Sequence, residues 1–173
     1  MGTNKGTPLR AYREVYPKYT RRDYERRGEI ISRTVNLERI IDTVIASYFC
    51  HDTVKRDELL FLLLSTERIS WENKRQIMQW ILEKYAPDLK KQYPDIFKDL
   101  QEIGEFRNVL AHNHLDTEGF VQYEAQKTTV INKYKNKKIV IEITEELFKQ
   151  KINLLNQYTT VLMHWEGILY FPL

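Results

Sequence analysis

The chain has 173 residues, a net charge of +3 and 42% apolar residues, the composition of one ordinary globular domain with a core of its own. A single cysteine, Cys50, excludes an internal disulfide and points to a reducing, cytoplasmic compartment. No apolar run approaches about 18 residues and the start lacks a signal-peptide core, so neither a membrane span nor secretion is expected.

Residues 1–28 carry eight Lys or Arg against three acids, with Tyr12, Tyr16, Tyr19 and Tyr24 interleaved. Residues 1–20 read as a basic, tyrosine-rich arm ahead of a single domain over 21–173. Arg21, Arg22, Arg26 and Arg27 are candidate RNA contacts, because cations beside stacking rings hold single-stranded nucleic acid. The alternative is a solvated face whose tyrosines pack on the domain. A first long helix is expected over about 24–50, with Ile30, Leu37, Ile41, Val44 and Tyr48 as its stripe. Glu38 lies at the edge of that stripe, as a partner for Arg107 across the core or as a surface residue making local pairs with Arg39 or Asp42.

Asp52 or Thr53 caps the next helix, about 54–64. Its run Leu59-Leu60-Phe61-Leu62-Leu63-Leu64 is apolar on all sides and is expected at the centre of the molecule. Ser65 and Thr66 break it. Ser70 then caps a helix over about 71–85, with Ile77, Trp80, Ile81 and Tyr85 facing inward. Pro87 marks its end.

A third long helix is expected over about 92–113, with apolar residues at Tyr93, Ile96, Phe97, Leu100, Ile103, Phe106 and Leu110. Arg107 falls in the middle of this stripe. A guanidinium cannot lose its proton, so Arg107 needs a partner carboxylate, an interface or a phosphate. His112 follows five positions later, roughly 140° round the helix and about 7.5 Å along it. Asn108 shares the face of His112 and is placed to orient the imidazole. Read without a family, Arg107 is an ion-paired structural residue and His112 a helix C-terminal cap.

The stretch Arg107-Asn108-Val109-Leu110-Ala111-His112 has an Arg, a polar residue directly after it, and a His after four intervening positions. At a helix end, with one more helix to follow, it resembles the signature of the HEPN superfamily. The resemblance covers about residues 21–167. It implies an up-down helical bundle and a homodimer whose paired motifs form one cleft. It also implies metal-independent cleavage of RNA to a 2′,3′-cyclic phosphate and a 5′-hydroxyl. His112 would be general base or acid, Arg107 the phosphate clamp and Asn108 the orienter, with Glu38 a candidate partner for Arg107. Many proteins of this kind are toxins or anti-phage effectors, so an antitoxin or a defence-complex partner is possible. Other members bind RNA, nucleotides or proteins without catalysis, which is the alternative function.

After His114, Val121, Tyr123 and Ala125 alternate with polar residues. Residues 128–134 and 138–143 are rich in β-branched residues, with a turn at Lys135-Asn136-Lys137. A β-hairpin insertion over about 118–143 is expected before the last helix, giving a mainly α fold. Lys127, Lys133, Lys135, Lys137 and Lys138 either extend a nucleic-acid surface or protect an edge strand. Thr144 caps the last helix, whose stripe is Leu147, Leu154, Tyr158, Val161, Trp165 and Ile168. The apolar tail at 170–173 is expected to pack on the domain.

Other chemistries find little support. His112 and His114 form H-N-H without a cysteine cluster or H-E-x-x-H, so no metal or other cofactor is expected. Glycines are too few and scattered for a phosphate-cradling loop. Cys50 beside His51 reads as a helix residue rather than a nucleophile.

Overall fold

A computed structural model describes residues 9–170, apart from 67 and 136. The turn residue Asn136 and the tail at 171–173 lie outside the described residues. So do the side chains of Lys133, Lys135, Lys137, Lys138 and Ile168. The chain is mainly helical, with a small antiparallel sheet inserted before the last helix. No helix among the described residues is long and apolar enough to cross a membrane.

Helix α1 spans Leu9–Phe49, far longer than the sequence suggested, and runs unbroken through position 20. From residue 9 on, the basic segment therefore lies within this helix. Its inward positions are Val15, Tyr19, Asp23, Arg26 and Ile30, which keep helical spacing. Two of them are charged, and that hides the stripe from a reading based on apolar residues. Pro17 lies inside the helix, where it removes a backbone donor. Packing of Val15 and Tyr19 against Phe120 and Tyr123 holds the segment helical. The second half of α1 buries Leu37, Ile41, Val44 and Ile45 in the main core. Each such aliphatic side chain contributes about 1.5–3 kcal/mol.

Asp52 caps α2, Thr53–Leu59, by accepting from the amide of Lys55 at 2.9 Å. A single π-turn, Leu60–Leu64, follows. The apolar run is not central. Leu64 is buried, but Phe61 is 66% exposed and Leu62 60% exposed. Leu59 and Leu60 are half-buried against the core, and the chain turns at Ser65 with Phe61, Leu62 and Leu63 left on the surface. Ser70 caps α3, Trp71–Tyr85, as its composition predicts. The buried face of α3 is Lys74, Met78, Ile81 and Leu82, so Trp80 and Tyr85 point outward, where they form an aromatic cluster with Tyr48.

The third helical segment is divided. Pro87 starts α4, Pro87–Gln92, and α5 spans Ile96–His112, with Pro94 in the break. Helix α5 buries Ile96, Phe97, Leu100, Ile103 and Leu110.

Strand β1, His114–Leu115, pairs with β2, Thr129–Lys135, which pairs with β3, Lys137–Ile143, in the order β1-β2-β3. Between β1 and β2 lies α6, Phe120–Gln126, where alternation suggested extended chain. Phe120 and Tyr123 face inward and Val121 is exposed, which is helical spacing over a single short turn. Thr144 caps α7, Glu145–Tyr170, by accepting from Leu147. Helix α7 buries Leu155, Tyr158, Leu162 and Trp165 against α1 and α5.

Candidate functional site

Helices α1, α3 and α5 and the π-turn enclose an open cleft of about 1030 Å³. Arg107, Asn108 and His112 all line it, from the last two turns of α5. The residues singled out in the sequence therefore share one solvent-filled space. Arg107 is half-buried, and its Nη1 donates to Asn108 Oδ1 at 3.0 Å. Among the described residues it makes no ion pair. His112 is exposed, and among the described residues its ring has no hydrogen-bond partner. Asn108 thus orients Arg107, not the imidazole. The side-chain oxygen is engaged one residue back, and among the described residues nothing fixes the tautomer of His112.

Glu38 also lines the cleft but does not meet Arg107. Its carboxylate takes Lys74 instead, with Oε1 at 2.7 Å from Nζ. Lys74 is 2% exposed and bridges to Asp42 as well, whose side chain is 3% exposed. The ammonium lies 3.0 Å from both Asp42 oxygens, but hydrogen-bond geometry is met only at Oδ2. Oδ1 is buried and has the same ammonium as its ion-pair contact. Burial pushes the Asp42 carboxyl from 3.8 up to about 6, against the pull of Lys74. Lys74 is the feature the sequence reading missed. A lysine among Met78, Ile81 and Leu82 on the inward face of α3 is the same kind of misfit as Arg107.

Trp71 completes the cleft. The N–H edge of its ring comes close to α5 because residue 104 is glycine: a Cβ there would come 2.4 Å from the indole nitrogen. The indole N–H donates to the carbonyl of Leu100 at 3.2 Å. Only glycine permits this approach, and Gly104 sits one turn before Arg107 and Asn108.

Three of the four N-terminal arginines, Arg22, Arg26 and Arg27, are engaged by acceptors on other parts of the chain or along α1. Arg26 is 2% exposed; it donates to Thr129 Oγ1, to the carbonyls of Ile143 and Lys127, and to Glu145 at 2.6 Å. It joins α1 to both ends of the hairpin and to the start of α7. Arg22 shares Glu145 at 3.1 Å, and the hydrogen bond from Arg26, helped by the one from Arg22, holds the Glu145 carboxyl below its ordinary range. Arg21 is exposed and pairs with Glu25 along the helix. Arg27 is held by Asp23 at 2.7 Å and donates to the carbonyls of Leu110 and Asn113. It therefore closes the C-terminal end of α5 on both sides of His112, where helix carbonyls lack partners. Asn113 adds a bond from its own side chain to the carbonyl of Val109 at 2.8 Å. The motif helix is thus anchored from α1.

Comparison with protein-family models, with curated proteins and with solved structures finds no match.

Proposed function

We propose that this chain is a metal-independent endoribonuclease of HEPN type that acts as a homodimer, with a toxin or anti-phage defence role. The observation that carries the reading is Arg107, half-buried in an open cleft beside Asn108 and His112 with no carboxylate in reach among the described residues. A guanidinium held by one neutral amide keeps most of its donors for a phosphate.

The chemistry asks for a base, a phosphate clamp and an acid. The base takes the proton of the 2′-hydroxyl as that oxygen bonds to phosphorus. The bond to the 5′-oxygen breaks, and the acid protonates the leaving oxygen. Histidine suits either proton transfer near neutral pH. Arg107 offsets the charge on the phosphate oxygens. One chain brings one such His, so two copies of the motif are needed for both transfers. Phe61 lines the cleft, and with Leu62 and Leu63, which follow it and are also exposed, it suits a self-contact that brings two clefts together. The second reading is a non-catalytic RNA-, nucleotide- or protein-binding module. It draws on His112, whose ring lacks an orienting partner within the protomer.

The test is purified protein on single-stranded and structured RNA in excess chelator, with the product ends mapped. Cyclic-phosphate and 5′-hydroxyl ends are expected. Ends bearing a 3′-hydroxyl, or cleavage that needs added metal, would contradict the mechanism. Intact RNA bound by a folded dimer would establish the binding module instead.

A further inference from the structure

We propose that strand β3 is a self-association edge, pairing antiparallel with β3 of a second copy about a twofold axis at Val140 and joining two sheets into one. No residue of the sheet lines the cleft described above. The contact is separate from that site and does not rest on the ribonuclease reading.

The order β1-β2-β3 leaves β3 with a strand neighbour on one side only. Its pairing with β2 runs without a bulge from Thr129 opposite Ile143 to Lys135 opposite Lys137. Val130 shows which backbone groups face the open side. Its amide donates to the Tyr19 hydroxyl, and its carbonyl accepts from that hydroxyl and from the amide of Asp116. Val130 therefore turns its backbone away from β3, and Glu142, opposite it, occupies a non-hydrogen-bonded position of the ladder. The pattern repeats every second residue, so the amides and carbonyls of Lys138, Val140 and Glu142 point to the open edge. Those of Val140 and Glu142 meet no partner among the described residues.

Such an edge is a template for another strand, and β3 has seven residues with neither a proline nor a bulge to blunt it. The exposed large apolar side chains among the described residues of the sheet, Ile139 and Val140, both belong to it. An added strand covers them.

Charge selects the occupant and the register. The outward positions read Lys, Val, Glu along the strand. An in-register parallel copy stacks lysine on lysine and glutamate on glutamate, which is unfavourable. An antiparallel copy centred on Val140 sets Lys138 opposite Glu142 at both ends and Val140 opposite itself. Every outward residue then meets an outward residue, as a hydrogen-bonded ladder requires. Moving the axis by one residue puts valine against a charge and leaves one outward position of each strand unpaired. Moving it by two returns like charges to the centre. Ile139 faces Ile141 of the second copy on the other side of the sheet. The lysine that repels a foreign strand is thus matched by a glutamate of the chain itself, and the contact is isologous.

The experiment is sedimentation of the full chain, comparing wild type with Val140→Pro, Glu142→Lys and the charge swap Lys138→Glu with Glu142→Lys. Proline fits an edge position whose amide faces outward, so Val140→Pro removes only the donor that a second copy needs. Folding of each variant is checked by circular dichroism. Wild type is expected to have about twice the particle mass of Val140→Pro. Glu142→Lys sets lysine against lysine and should show the same loss, and the charge swap should restore the larger mass. If the apolar surface beside the cleft also joins two copies, the step is from tetramer to dimer, and otherwise from dimer to monomer. A monomeric wild type, or an unchanged mass in Val140→Pro or Glu142→Lys, would overturn the contact. A charge swap that stays small would overturn the axis at Val140. RNA cleavage by a chain that makes no β3 contact would remove this inference and leave the ribonuclease. The contact without any cleavage would do the reverse.

Discussion

Arg26 and Arg107 occupy comparable places, each facing inward from a long helix, and they meet opposite environments. Arg26 is enclosed by a hydroxyl, two carbonyls and the carboxylate of Glu145. Arg107 opens on a cleft and, among the described residues, hydrogen-bonds only the amide of its neighbour, Asn108. Both satisfy the rule that an inward guanidinium must find acceptors, but only Arg107 leaves room for an acceptor brought by something else. Charge density along the chain pointed to the N-terminal arginines as the nucleic-acid surface. Three-dimensional accounting of acceptors reverses the order, because Arg22, Arg26 and Arg27 are already spoken for.

The contrast can be broken most sharply at Arg26. Arg26→Ala strands Glu145 and several buried acceptors, and should cost about 3–5 kcal/mol, read as a lower urea midpoint. Unchanged stability would mean that the arginine is not the bolt between α1 and the hairpin. Tyr19→Phe probes the same junction more gently. The Tyr19 hydroxyl donates to the carbonyl of Val130 and accepts from its amide. Its removal leaves the buried amide of Val130 unmatched, while the carbonyl keeps the Asp116 amide at 2.8 Å, for an expected loss of about 1–3 kcal/mol.

At the cleft the sharper probe is pH. The folded Asp42 carboxyl is raised by burial from 3.8 to about 6. Between these values the folded chain keeps a proton that the unfolded chain has released. Stability contributed by this group therefore falls as pH rises through that window and stays low above it. Lys74 and Glu38 face the same carboxyl, so the comparison is made against Asp42→Asn. The variant should gain on the wild type as pH is raised from about 5 to 7.5, measured by urea unfolding. A constant difference between the two would show that Asp42 titrates below the window. The smallest effect belongs to Arg21, whose partner Glu25 is also on the surface. Arg21→Ala should leave the melting temperature within about a degree of wild type.

What could be read from the chain was largely local. Asp52, Ser70 and Thr144 announce helix starts because a cap bonds only three residues ahead. The β-branched runs of β2 and β3 needed only their own composition. Arg107 stood out because a fixed charge broke a local apolar stripe. Tyr19 and Arg26 could not be read in the same way, since their partners lie more than 100 positions away. Phe61 and Leu62 misled for a related reason. A run of six apolar residues looks like core wherever it stands, and only the turn at Ser65 decides which side faces out. Lys74 was legible in principle, because it interrupts the inward face of α3 as plainly as Arg107 interrupts that of α5.

The most direct test of the account is the rate of RNA cleavage in excess chelator for wild type, Arg107→Ala and His112→Ala, with melting followed on the same samples. Both side chains lie in the open cleft and hold no other element in place, so melting should be unchanged. Cleavage should fall by about 10²–10⁴-fold in each variant, the scale of a lost acid, base or phosphate clamp. Cleavage at the wild-type rate by either variant, or loss of rate only in step with loss of folding, would contradict the assignment of this cleft as the active site.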